Sequence, residues 1–156
     1  MADITYLRVG KGFAYLSLVT DAFTREIVGY QLSGTLSHDG AVGALEMAVQ
    51  EVSDRAGIIH HSDRGVQYCC HEFLDQLRKL GVRSSMTDAD HCAQNALAER
   101  MNGILKSEFY LDLRFLHFVD AERAVAQAVR LYNEVRPHTS LYMATPRQFH
   151  AAAVAA

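Results

Sequence analysis

The strongest constraint on this chain is the order in which two hydrophobic periodicities follow one another. Alternation with a period of two fills Asp3 to Val9, Phe13 to Thr20 and Glu26 to Ser33, and the joining segments Gly10-Lys11-Gly12 and Asp21-Ala22-Phe23-Thr24-Arg25 have turn compositions. Three β-rich segments so closely joined predict an antiparallel meander. The period then lengthens. Val42, Leu45, Val49 and Val52 recur at helical spacing, with Ser37 as N-cap and Gly57 as the stop. A short buried strand over Gly57 to His61 runs into the turn Ser62-Asp63-Arg64-Gly65. Phe73, Leu74, Leu77 and Leu80 mark a helix ending at Gly81, and Val82 to Met86 reads as a fifth strand. Beyond the polar loop Thr87 to Gln94, Leu97, Met101, Ile104 and Leu105 share one face of a long helix. The last helix starts at Asp120, turns Ala124, Ala128, Leu131 and Val135 inward, and stops at Pro137.

The order β-β-β-α-β-α-β-α-α joins a meander to parallel βα units and predicts an α/β fold, a five-stranded mixed sheet flanked by helices. It is the order of ribonuclease-H-like folds. A length of 156 residues suits one domain, taken as residues 1–150, with an alanine-rich tail over 151–156 expected to fray. No apolar run reaches the roughly 18 residues of a membrane span, and no basic segment precedes an apolar one at the start, so no membrane partner and a cytoplasmic location are expected. Three cysteines, two of them adjacent, make a poor disulfide framework and fit a reducing compartment. The net charge of -3 argues against nucleic acid held by bulk electrostatics alone. That deficit is confined to residues 1–60, which hold four Lys or Arg against seven Asp or Glu.

Such a sheet brings three acids together: Asp3 on the first strand, Asp63 past the end of the fourth, and Glu99 in the first turns of the long helix. Converging carboxylates repel one another, and a divalent cation relieves the repulsion. Oxygen ligands select Mg²⁺ or Mn²⁺, and two such ions roughly 4 Å apart suit an in-line phosphoryl displacement. With eighteen acidic residues in the chain, spacing alone favours another reading. In it Asp3 is a solvated terminus, Asp63 a turn former and Glu99 a first-turn charge complementing the helix dipole.

The surrounding residues resemble a family. Asp-Ile-Thr-Tyr-Leu at 3–7, Asp-Ala-Phe-Thr-Arg-Glu-Ile-Val-Gly-Tyr at 21–30, His-Ser-Asp-Arg-Gly-Val-Gln-Tyr at 61–68, Ser-Met at 85–86, Asn-Ala-Leu-Ala-Glu at 95–99 and Leu-Lys-Ser-Glu at 105–108 are similar to the catalytic core of bacterial insertion-sequence DDE transposases, whose core is retroviral-integrase-like. Tyr-Asn-Glu-Val-Arg-Pro-His-Thr-Ser-Leu at 132–141 and Thr-Pro at 145–146 continue the likeness, and the thirty-five residues between Asp63 and Glu99 equal the family's second interval. The resemblance implies that Asp3, Asp63 and Glu99 hold two Mg²⁺ or Mn²⁺ ions. It implies cleavage at transposon ends followed by strand transfer into target DNA by the freed 3′-hydroxyl, in a homo-oligomer.

The chain departs from the family pattern in several places. It has no tryptophan before Asp3, which implies a clipped first strand or an excised core. Gln94 stands where the family has an aspartate, and Thr87-Asp88-Ala89-Asp90 is acidic where the family's loop is basic. The upstream helix-turn-helix region is absent from this chain. Lys106, two helical turns after Glu99 with Asn102 and Gly103 between, is a candidate phosphate contact or a solvated lysine. Asn102, Arg64 and Arg136 are further candidate DNA contacts. For Arg64 a pairing with an acid is the alternative, and for Arg136 an interaction with its helix C-terminus. A zinc site at His60, His61, Asp63 and His71 is disfavoured, because the histidines alternate faces along a strand. A nuclease that cuts without joining, and a catalytically silent DNA-binding or self-associating module, are the rival functions.

Overall fold

The computed structural model describes residues 1–50, 52, 54–87 and 95–155. The meander forms as the alternation requires. Strands β1 (Ala2–Val9), β2 (Gly12–Thr20) and β3 (Ile27–Ser33) pair antiparallel, Asp3 opposite Leu18 and Leu18 opposite Tyr30. The pairing of Val9 with Gly12 leaves a two-residue hairpin loop, which Gly10 enters at a φ of 55°, a region that costs a side-chain-bearing residue free energy. After β3 come α1 (His38–Val49), β4 (Ile59–Ser62), the single turn α2 (Val66–Cys69), α3 (His71–Leu80) and β5 (Arg83–Met86). The chain closes with α4 (Ala96–Glu108), β6 (Arg114–Phe115), α5 (Phe118–Glu134), a 3-10 turn at Thr139–Leu141 and α6 (Pro146–Val154).

Because side chains on a strand alternate faces, β1 serves two cores. Leu7 on one face packs with Leu16, Leu18, Met101, Leu105, Val125 and Tyr132 beneath α4 and α5. Ala2 on the other packs with Leu45, Phe73 and Leu77 beneath α1 and α3, and Ile4 adjoins them. Asp3 shares the Leu7 face, toward α4. Among the described residues no helix is long and apolar enough to cross a membrane.

The mixed α/β layering matches expectation, but the strands differ in number and pairing. Among the described residues there are two ladders, a four-stranded mixed sheet in the order β3-β2-β1-β6 and a parallel pair β4-β5. β4 lies beside β1 without joining its ladder. The Ala2 carbonyl on β1 is taken instead by the Asn95 amide at 3.3 Å, and β6 pairs with Arg8 and Val9 at the opposite end. The sheet thus departs from a single five-stranded one because different segments of β1 have different outer neighbours.

Three helices also differ from expectation. α1 stops at Val49 rather than at Gly57, and Asp54 Oδ1 accepts the Ala56 N–H at 2.9 Å, a turn that competes with further helix. α5 begins at Phe118 and buries Ala121, Val125, Ala128, Val129, Tyr132 and Asn133, a stripe rotated from the one read from apolar spacing, while Val135 is exposed. A polar residue sets that rotation. Asn133 is buried and both accepts from the Ile27 N–H and donates to the Ile27 carbonyl, each at 2.9 Å. Finally, α6 continues through the alanine-rich end to Val154, started by a Thr145–Gln148 capping box with Pro146 in its first turn. Of the loop Thr87 to Gln94, residues 88–94 lie outside the described residues, with Cys92 and Gln94 among them.

β3 and α1 approach so closely at Gly29 that a Cβ there would stand 2.0 Å from the Ala44 carbonyl oxygen. Gly29→Ala is expected to cost about 3 kcal/mol, because backbone cannot yield as a side chain can. Gly34→Ala, with open space at its Cβ, is expected to be close to neutral in the same urea titration.

Candidate active site

Asp3 projects from the start of β1 toward α4, where the Asn102 side-chain amide donates to its Oδ2 at 2.7 Å. Asp63 sits just past β4, and its Oδ1 accepts the Gly65 N–H at 2.9 Å, a local turn that holds the carboxylate still. Both acids line one cavity of about 210 Å³ with Thr5, Tyr6, Leu36, Gly65, Gln67 and Tyr68. The two strand ends therefore bring their carboxylates to a common space.

The electrostatics agree with the geometry. Burial raises the Asp3 carboxyl above its usual range. The Ile4 N–H and Asn102 partly oppose this, and the charges of Asp63 and Glu99 add to it. Tyr68 is buried with its hydroxyl unpartnered among the described residues. Burial lifts that phenol far above its ordinary value, with Asp3 and Asp63 contributing further. Asn102 Oδ1 is also buried without a donor among the described residues. The carboxylates of Asp3 and Asp63, which line the same cavity, are oxygen donors of the kind that hard divalent cations accept.

Glu99 lies in the first turn of α4 and is exposed. Its charge registers at Asp3, but the three carboxylates do not converge tightly. Among the described residues the triple whose ligand atoms all lie within 4.8 Å of one another is His38, Cys70 and Glu72.

The candidate DNA contacts separate into two groups. Lys106 is half-buried with its Nζ 4.5 Å from the Tyr6 ring centroid, and burial chiefly lowers its pKa, against the attraction of Asp112 and Asp3. It lines a second cavity of about 340 Å³ with Arg8, Phe13 and Tyr6, and Tyr6 lines the acidic cavity as well. Asn102 proves to be a direct partner of Asp3. Arg64 and Arg136 are committed elsewhere. Arg64 Nε donates to the Thr87 carbonyl at 2.7 Å, a backbone partner rather than an acid. Arg136 grips both Glu108 oxygens, at 2.6 and 2.7 Å, and so ties the end of α5 to the end of α4.

Sequence reasoning missed Tyr68, Asn95 and the pairing of Asn102 with Asp3. Tyr68 and Asn95 lie within the segments that carry the family likeness, but nothing in their spacing shows what they face. His60 is buried against Tyr68 and Phe73, and burial foremost pushes its imidazole down to about 4. His61 Nδ1 meets Ser85 Oγ at 2.9 Å across the β4–β5 pair.

Comparison with known proteins shows the family and the fold. Residues 1–92 match an integrase core domain family, and residues 80–146 match a second family of the same description. The chain is 33% identical over 150 residues to an uncharacterized 31 kDa protein of insertion element IS600 from Shigella sonnei, covering 96% of this chain and 55% of that protein. It is 34% identical over 142 residues to a putative transposase for insertion sequence element IS986/IS6110 from Mycobacterium tuberculosis, covering 87% of this chain and 51% of that protein. The chain thus spans about half the length of these relatives. In fold it resembles the HTLV-2 integrase catalytic core domain in complex with magnesium, with a TM-score of 0.74 at 18% identity, covering 96% of this chain and 93% of that one. With its meander, its paired β4 and β5 and its facing aspartates, this chain belongs to the integrase core domain family, the ribonuclease-H-like cores of retroviral integrases and DDE transposases.

Proposed function

We propose that this chain is the catalytic core of a transposase that cleaves DNA at transposon ends and joins the freed ends to target DNA, using two Mg²⁺ or Mn²⁺ ions held by Asp3, Asp63 and Glu99. The observation that carries the proposal is the shared cavity of Asp3 and Asp63, in which one carboxyl is already raised by burial and by the other acids. Family membership and the transposase relatives support the substrate class, and the magnesium in the HTLV-2 integrase core supports the cofactor class. Bound there, the ions would activate an attacking oxygen and stabilise the leaving oxygen of an in-line displacement.

The chain's own residues would position the reactants. Asn102 fixes the rotamer of Asp3, and the Gly65 N–H fixes that of Asp63. Glu99, on the exposed first turn of α4, would swing inward when the repulsion is neutralised. Lys106, stacked on Tyr6 between the two cavities, would hold a phosphate next to the acids without reading sequence. Cutting and joining two ends would require at least two copies of the chain, and recognition of the terminal repeats would fall to a helix-turn-helix region outside it.

Three outcomes test this reading. Asp63→Asn is expected to reduce Mn²⁺-dependent cleavage of a transposon-end duplex by roughly 10²-fold or more while leaving the thermal midpoint unchanged or higher. Wild-type-like cleavage by this variant would overturn the mechanism. Cleavage by the wild type without joined products on a plasmid target would assign the chain to the nucleases that do not join.

Asp3 predicts a pH dependence. Its folded pKa lies above its unfolded value of 3.8, so the folded state binds the proton more tightly, and stability falls as pH rises through that window. Above the folded pKa the cost of the buried charge is complete. Asp3→Asn is therefore expected to raise the thermal midpoint at pH 7, with the gain shrinking toward zero as the pH falls to about 3.8.

Lys106→Ala is expected to weaken duplex binding similarly for all sequences and to reduce the salt slope by about one, as measured by anisotropy titration at several salt concentrations.

A further inference from the structure

On the side of β1 away from α4, a second constellation of ligands has a different chemistry. His38 opens α1, Cys70 precedes α3 as its N-cap and Glu72 lies in the first turn of α3. One ligand atom of each lies within 4.8 Å of the other two. With bonds of roughly 2.0–2.3 Å, the donor atoms around a tetrahedral Zn²⁺ stand about 3.3–3.8 Å apart, so side-chain rotations of about an ångström close the set. We propose that His38, Cys70 and Glu72 form a binding site for a soft divalent transition-metal cation, Zn²⁺ foremost, with water in the fourth position.

The donor set separates this site from the acidic cavity. Thiolate and imidazole select zinc-like ions over Mg²⁺, whereas the oxygen donors at Asp3 and Asp63 suit Mg²⁺ and Mn²⁺. The Cys70 thiol, now 3.3 Å from the Gln67 carbonyl, would release its proton on binding, as metal-bound thiols do. Asp39 Oδ1 stands 3.4 Å from His38 Nε2, and the Ser37 hydroxyl donates to Asp39 Oδ2 at 2.9 Å, which places a held carboxylate beside the imidazole. Glu72 is exposed, and His38 and Cys70 are half-buried, which leaves an entry path.

The position of the site has a consequence for the cavity. An ion there would clamp the start of α1 to the α2–α3 junction, where the polar tie is now a long contact from Gln67 Nε2 to the Leu36 carbonyl at 3.5 Å. Leu36 and Gln67 both line the Asp3–Asp63 cavity. The clamp would stiffen that wall without touching either carboxylate.

Cobalt(II) spectroscopy tests the site on the full chain carrying Cys69→Ser and Cys92→Ser, so that Cys70 is the sole remaining thiol. One equivalent of Co²⁺ is expected to produce a near-ultraviolet thiolate-to-cobalt charge-transfer band, one equivalent of Zn²⁺ to abolish it, and excess Mg²⁺ to leave it intact. His38→Ala and Glu72→Gln should each weaken Co²⁺ binding by at least about tenfold, with circular dichroism confirming that each variant is folded. Asp63→Asn should bind Co²⁺ as before. A folded sole-thiol protein without the band, or a band with unchanged affinity in folded His38→Ala, would overturn the proposal.

Discussion

Burial of β1 on both faces is the constraint on which the rest of the structure depends. Helices cover β1 on each side at Leu7 in one core and at Ala2 in the other, while Tyr6 and Arg8 remain exposed. Asp3 is a charge among the covered positions. It shares its face with Thr5 and Leu7 and stands opposite Leu18, so its carboxylate loses much of its hydration and its pKa rises. The fold tolerates the charge because Asn102 reaches across from α4 to donate to it and because the cavity beside it admits solvent or an ion. The placement of α4, the exposure of Glu99 at its start and the position of Lys106 two turns on all follow from packing that helix over the Leu7 face.

The same packing divides the molecule chemically. Toward α4 and α5 the polar groups near β1 are oxygen donors and an amide, arranged around Asp3 and Asp63. Toward α1 and α3 they are an imidazole, a thiol and a carboxylate at helix starts, where short turns rather than a strand set the spacing. The two proposed ligand sets, one of hard and one of soft donors, are joined through the segment from Asp63 to Cys70. That segment contributes a carboxylate to one and a thiol to the other.

Much of the fold was legible because hydrophobic periodicity records which faces are covered. The meander, α3 with its Gly81 stop and the Met101, Ile104 and Leu105 face of α4 all follow from spacing. Periodicity failed where a polar residue holds a buried place. Asn133 turns α5 because its amide completes the hydrogen bonding of Ile27, and a count of apolar residues does not register such a contact. It failed again at β6, whose two residues pair with Arg8 and Val9 from more than a hundred positions away. The carboxylates at 3 and 63 were legible as candidates through their neighbours in sequence, yet the partners of Asp3 were not.

The sequence by itself determined the element order, the family likeness and the identity of the acids, since these depend on residue type and local spacing. Only the tertiary structure decided that Asp3 and Asp63 open into one cavity, that Asn102 serves Asp3 rather than solvent, and that Arg136 is spent on Glu108. It also brought His38 beside Cys70 and Glu72. The physical reason is common to all four. Each contact joins segments that are distant along the chain, and their meeting is fixed by how helices cover a sheet, a global packing outcome that no local pattern of residues encodes.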